Sequence, residues 1–87
     1  MKKLEKILLN FLYKRGYKAD GADGMDGFKK ETNKVSYWFQ KGIRGGMIYC
    51  PDHITVFIND NPIIINEDET SEVIFSYLED SFSHYEN

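Results

Sequence analysis

Leu4, Ile7, Leu8, Phe11 and Leu12 fall at i, i+3, i+4, i+7 and i+8. At about 100° per residue this spacing gathers them on one side of a helix. Lys2, Lys3, Lys6 and Lys14 fall on the other side. The pattern predicts an amphipathic helix over residues 2–15. Lys14 and Arg15 suit the negative end of its dipole, Gly16 is a left-handed stop, and Tyr17 begins a short extended piece.

From residue 34 to 66 the period changes to two. Val35, Tyr37 and Phe39 alternate with Ser36, Trp38 and Gln40, and Ile54, Val56 and Ile58 alternate with Thr55, Phe57 and Asn59. Both stretches predict half-buried strands. Gly42 and Gly45-Gly46 mark a turn region. Residues 46–49 predict a short strand stopped by Pro51-Asp52. Asn59-Asp60-Asn61-Pro62 is turn chemistry, after which residues 63–66 return as a hairpin partner. The period then lengthens again. Val73, Ile74, Tyr77, Leu78, Phe82 and Tyr85 share one side of a helix predicted over 69–84, with Asn66 or Asp68 as its cap.

The resulting fold class is α+β: a helix, a three- or four-stranded antiparallel sheet and a second helix, with both helices on one face of the sheet. Residues 1–87 form a single small domain. Three glycines and three aspartates in 20–27 predict a loop. Residues 28–33 leave loop and strand open, and 20–33 as a whole is expected to be mobile. Val35, Tyr37, Phe39, Ile54, Val56, Ile58, Ile63 and Ile65 would point inward. Trp38, Phe57 and Ile64 would point to the opposite face, exposed unless the 20–33 loop folds over them.

Composition sharpens the picture in three places. First, Cys50 is the sole cysteine, so no intrachain disulfide forms and a reducing, cytoplasmic location is expected. Second, no apolar run approaches the roughly 20 residues of a membrane span, and Glu5, Lys6 and Asn10 interrupt the N-terminal stretch that would otherwise suggest a signal peptide. Third, the net charge of -3 conceals an asymmetry. All 11 basic residues lie within residues 1–44 beside five acids, and nine acids with no Lys or Arg fill residues 45–87.

Candidate chemistry is sparse. Asp20 as the first ligand of a calcium loop would put Glu31 twelfth. The third and fifth positions are then Ala22 and Gly24, and the sixth, which should be glycine, is Met25. Cys50, Asp52, His53 and His84 supply too few ligands for structural zinc and no activated nucleophile pattern. The reading is therefore a non-enzyme with no cofactor and no metal.

Two surfaces remain. Glu72, Glu79 and Glu86 recur every seven residues with Asp80 beside them, an acidic stripe with no interspersed cation to pair at i+4. Trp38 and Phe57 would add an apolar anchor. Aromatics on a sheet face can also stack nucleobases, although the glycine-aromatic signature of RNA recognition motifs is absent. Chain-wide charge disfavours direct nucleic-acid binding.

The stretch Lys6-Ile7-Leu8-Leu9-Asn10-Phe11-Leu12-Tyr13-Lys14-Arg15-Gly16-Tyr17 resembles the first helix of HicA-type toxins. The resemblance implies a helix, three strands and a helix. That family's Gly-Ser-His strand motif is absent here, so its RNA-cleaving activity is not carried over. Size and acidity also suggest an analogy with phage or mobile-element inhibitors of the anti-CRISPR or DNA-mimic type. The expected function is a protein-binding module. It would dock Glu72, Glu79, Asp80 and Glu86, with Trp38 and Phe57, on a basic partner such as a nucleic-acid-binding protein. The alternatives are a HicA-like or double-stranded-RNA-type binder using the lysines of helix one, and a homodimeric structural protein.

Overall fold

A computed structural model describes residues 2–21, 27–44 and 47–87, with residues 2 and 40–52 described by their backbone alone. The element order is α1 (Lys2–Lys14), β1 (Lys18–Ala19), β2 (Phe28–Lys30), β3 (Asn33–Arg44), β4 (Met47–Ile58), β5 (Asn61–Asn66) and α2 (Ser71–Tyr85). The strands form one antiparallel sheet in the order β1-β2-β3-β4-β5. The α+β class and the helix–sheet–helix order stand, but the sheet has five strands where three or four were expected. The difference arises in 17–33. Tyr17 is followed by β1, and 28–33 is a strand and a tight turn rather than part of a loop. Lys30 pairs with Asn33 across Glu31-Thr32, with Glu31 at φ 55°. The expected mobility of residues 22–26 and the Gly45-Gly46 turn lie outside the described residues.

Helix α1 ends as its sequence requires. Tyr17 N–H donates to the Leu12 carbonyl at 2.9 Å and Gly16 N–H to the Tyr13 carbonyl at 3.1 Å. This is the Schellman arrangement, with Gly16 at φ 96° where a Cβ would be strained. The Lys30 ammonium adds a 2.7 Å bond to the Arg15 carbonyl. Helix α2 starts two residues later than its periodicity suggested. Thr70, not Asn66 or Asp68, is the N-cap, and its hydroxyl accepts from Val73 N–H at 3.2 Å.

Two further sequence expectations are corrected in the sheet. Pro51-Asp52 does not stop a strand, because β4 runs unbroken through it. The register with β3 slips on either side of Lys41, which pairs with Pro51, and a bulge of this kind accommodates a residue with no N–H to give. At the other end, Ile58 pairs with Asn61 across Asn59 (φ 49°) and Asp60 (φ 69°). That is a two-residue turn with both central residues left-handed. Pro62, next in line, falls at a position whose N–H would point away from β4. β5 is an edge strand, so this proline removes nothing from the ladder.

The core is one cluster between the helices and a single sheet face. α1 contributes Leu4, Ile7, Leu8, Phe11 and Leu12, α2 contributes Ile74, Leu78 and Phe82, and the strands contribute Phe28, Val35, Ile54, Val56, Ile58, Ile63 and Ile65. Each such side chain, fully buried, is worth about 1.5–3 kcal/mol. Phe39 shares the inner face by register, yet it is 41% exposed. The β3–β4 hairpin, twelve residues per strand, outruns the helices that cover it. Val73 and Tyr77, on the apolar side of the predicted helix, are exposed. The buried stripe of α2 is the narrower set Ile74, Leu78 and Phe82.

Candidate functional site

The two helices run side by side in the same direction. The Lys3 ammonium reaches the Glu67 carbonyl at 3.5 Å at one end, and Arg15 meets Ser83 and Glu86 at the other. Basic α1 therefore lies along acidic α2. Arg15 Nε donates to both Glu86 carboxylate oxygens at 3.1 Å, its Nη2 donates to Ser83 Oγ at 3.2 Å, and the Tyr17 hydroxyl donates to Glu86 Oε2. The guanidinium also lies over the rings of Phe11 and Phe82, 5.7 and 5.9 Å from their centroids. Of the expected partner-binding residues, Glu86 is thus engaged inside the fold. Glu79 flanks a shallow hollow with Lys14 and Arg15. Glu72, Glu79 and Asp80 are exposed.

This cluster has a signed pH dependence. Hydrogen bonding from Arg15 holds the Glu86 carboxyl below its ordinary value of 4.5. Its contribution is present above that value and is lost as pH falls through the lower folded-state value. Burial, followed by the bond to Glu86, raises the Tyr17 phenol above its ordinary 10.0. That contribution is complete below pH 10 and fades as pH rises beyond it. Tyr37, whose hydroxyl donates to Glu5 at 3.1 Å, is pushed up to about 12, chiefly by burial. Glu86→Gln is expected to cost roughly 1.5–3 kcal/mol, the worth of a hydrogen bond to a charged group, and to flatten the acid limb of the stability curve. Urea melts between pH 3 and 7 read both effects; an unchanged acid limb would remove Glu86 as its source.

Trp38 and Phe57 lie elsewhere. Cross-strand partners share a face. Ser36–Phe57–Pro62 and Trp38–Thr55–Ile64 therefore form successive rows on the face opposite the helices. Trp38 is 59% and Ile64 53% exposed, whereas Phe57 is half-buried, so the aromatic pair opens to solvent through Trp38. The Trp38 and Phe57 rings meet edge to face with centroids 5.8 Å apart. Between Trp38 and Ile64, Thr55 is buried and its hydroxyl has no hydrogen-bond partner. The sheet thus separates this pair from the acidic stripe, and the two parts of the site expected from sequence do not form one surface.

The next row on the open face is one that sequence reasoning missed. Lys18 pairs with Lys29, and Lys29 with Lys34. Three exposed lysines stand directly opposite one another on adjacent strands, a destabilising arrangement of like charges. Among the described residues none of the three enters an ion pair, and no described strand position on this face carries a carboxylate. Glu31 and Asp60 sit in the flanking turns. A cavity of about 370 Å³ between the lysine row and Phe57 is lined by Lys34, Ser36, Asn59, Asp60 and Asn87. The available signal was the alternation Lys29, Lys34, Ser36, Trp38, but it becomes a surface only once 28–30 is a strand.

His53 lies on β4 by the open face, whereas His84 lies on α2 against Tyr85, with ring centroids 4.8 Å apart. The side chains of Cys50 and Asp52 lie outside the described residues. Among the described residues no group of three or more His, Cys, Asp or Glu is placed to hold a metal, and no helix is long and apolar enough to cross a membrane. No protein family matches the chain, and no curated protein or solved structure matches it either. The arrangement itself defines a class: a small α+β module whose sheet is covered by helices on one face and is basic and aromatic on the other.

Proposed function

We propose that the protein is a non-enzymatic binding module that docks an anionic partner on the uncovered face of its sheet. One observation carries this reading: the row Lys18–Lys29–Lys34, without an ion pair among the described residues, beside the exposed Trp38 and the half-buried Phe57 that meets it. In the helix layer Arg15 is paired with Glu86, whereas the lysine row has no counter-charge among the described residues. Like charges held in register favour an anion that relieves their repulsion, and an exposed tryptophan supplies contact area at low conformational cost.

A second reading keeps the acidic helix as the docking element for a basic protein, as an inhibitor or DNA mimic would use it. The exposure of Glu72, Glu79 and Asp80 favours it. One experiment separates the two. The protein is passed over immobilised heparin and immobilised polylysine, together with the pairs Lys29→Glu/Lys34→Glu and Glu79→Lys/Asp80→Lys. The sheet-face reading expects retention on heparin that the lysine reversals abolish and the helix reversals leave intact. Retention on polylysine alone, lost on reversal of Glu79 and Asp80, would replace it with the second reading.

A further inference from the structure

Resting on the sheet-face reading, we infer that the anionic partner is single-stranded nucleic acid. Bases would stack on Trp38 and Phe57, and the phosphate backbone would lie across Lys18, Lys29 and Lys34. Three features of the open face support this together. The aromatic pair is presented on a strand-built platform rather than in a pocket, and the Trp38 ring stands largely exposed with one edge-to-face neighbour, Phe57, among the described residues. Such a ring offers a π-face to any base, and base–aromatic stacking tolerates sequence.

The second feature is spacing. The lysine row runs across three strands about 4.8 Å apart, perpendicular to the strands. Lys34 and Trp38 are four residues apart on β3, about 13 Å along the strand. Phosphate contacts and a stacked base are therefore separated by a short stretch of extended chain. The third feature is the ground between them. Ser36 and the cavity lined by Lys34, Asn59 and Asn87 put hydroxyl and amide groups next to the cation, where sugar and base edges would lie. Asp60 on the same rim disfavours a second phosphate at that point. A double helix would hide its bases from Trp38, so the surface selects single strands.

The chain-wide charge of -3 does not oppose this locally. Nine of the 14 acids follow Arg44, and most of those that are described lie on the helix layer or in turns.

Trp38 is the only tryptophan, so its fluorescence reports directly on the surface. The protein is titrated with single-stranded oligo-dT, the same length of duplex, heparin and polyglutamate. The expected result is saturable quenching by oligo-dT. The affinity should fall with salt at a log–log slope of about -2, since three phosphate contacts to a single strand give roughly 0.7 each. By anisotropy of labelled oligo-dT, Trp38→Ala should weaken binding about 5- to 150-fold, the measured range for one stacked base. Trp38→Phe should recover most of it, and Lys29→Ala should make the slope shallower by about 0.7. Trp38 is exposed, so circular dichroism of Trp38→Ala should match the parent. Tighter binding of duplex would overturn the single-strand assignment, and equal quenching by heparin or polyglutamate would overturn the nucleic-acid assignment, each while leaving the anionic docking face. Failure of every polyanion to bind would overturn both.

Discussion

Phe82→Ala is expected to remove about 3–5 kcal/mol of stability, the range for a large aromatic deleted from a packed core. Phe82 is fully buried and meets Phe11 edge to face at 4.9 Å and Tyr17 at 5.7 Å, with the Arg15 guanidinium over its ring. Its loss opens a cavity where α1, α2 and the start of the sheet converge. It also takes away the ring beneath the Arg15–Glu86 pair. At roughly 0.05–0.15 kcal/mol per residue, a domain of this size has about 4–13 kcal/mol in total, so the variant sits near or past its unfolding threshold at room temperature. Thermal melts should show a fall in Tm of roughly 12–40 °C. A loss under about 1 kcal/mol would mean the site collapses without a cavity and that the aromatic cluster is not the centre of the core.

Gly27→Ala should be comparably damaging for a different reason. Gly27 precedes β2 at φ 101°, buried, and its carbonyl accepts from Asp20 N–H at 2.9 Å. A Cβ there would overlap the carbonyl oxygen of Val35, which is backbone in a paired strand and cannot swing aside. The left-handed backbone costs about 1–2 kcal/mol for any L side chain, and forcing the strands apart adds about 1–3 kcal/mol. Gly16→Ala is the control. Gly16 has nearly the same φ, 96°, but its Cβ would meet only the flexible end of Lys30 at 3.4 Å. The loss at Gly27 should therefore exceed that at Gly16 by roughly the overpacking increment, as read in parallel urea melts. Equal losses would show that the backbone conformation alone matters and that β2 does not press on β3 there.

Gly27 also shows why part of the sheet was not legible in the sequence. Residues 28–33 lack the long alternation that marks β3 and β4, since Phe28-Lys29-Lys30 is too short to show a period. They become a strand because Val35 and Lys34 offer ladder partners and Gly27 permits the close approach. The lysine row depends on the same fact. Lys18, Lys29 and Lys34 are separate charges along the chain, and only cross-strand pairing makes them neighbours. Trp38, Phe57 and Ile64 were legible as an outward set, because a strand sends alternate side chains to opposite faces whatever its partners. Val73 and Tyr77 share the apolar side of α2 yet are exposed, because an apolar stripe on a helix can be wider than the strip its neighbours cover.

By itself the sequence determined the local order: which stretches are helical, where Gly16 stops α1, where Asn59-Asp60 folds the hairpin, and which strand positions face inward. These follow from backbone preference and periodicity, which act over a few residues. Tertiary structure alone decided how the charges combine. It set acidic α2 against basic α1, joined Glu86 to Arg15 and Tyr17, and put the aromatic pair on the opposite side of the sheet from the acidic stripe. It also left three lysines in register without counter-charges among the described residues. Charge interactions act through space at distances that the chain brings together only on folding. A net charge and its split along the chain could therefore pose the question of the binding surface but not locate it.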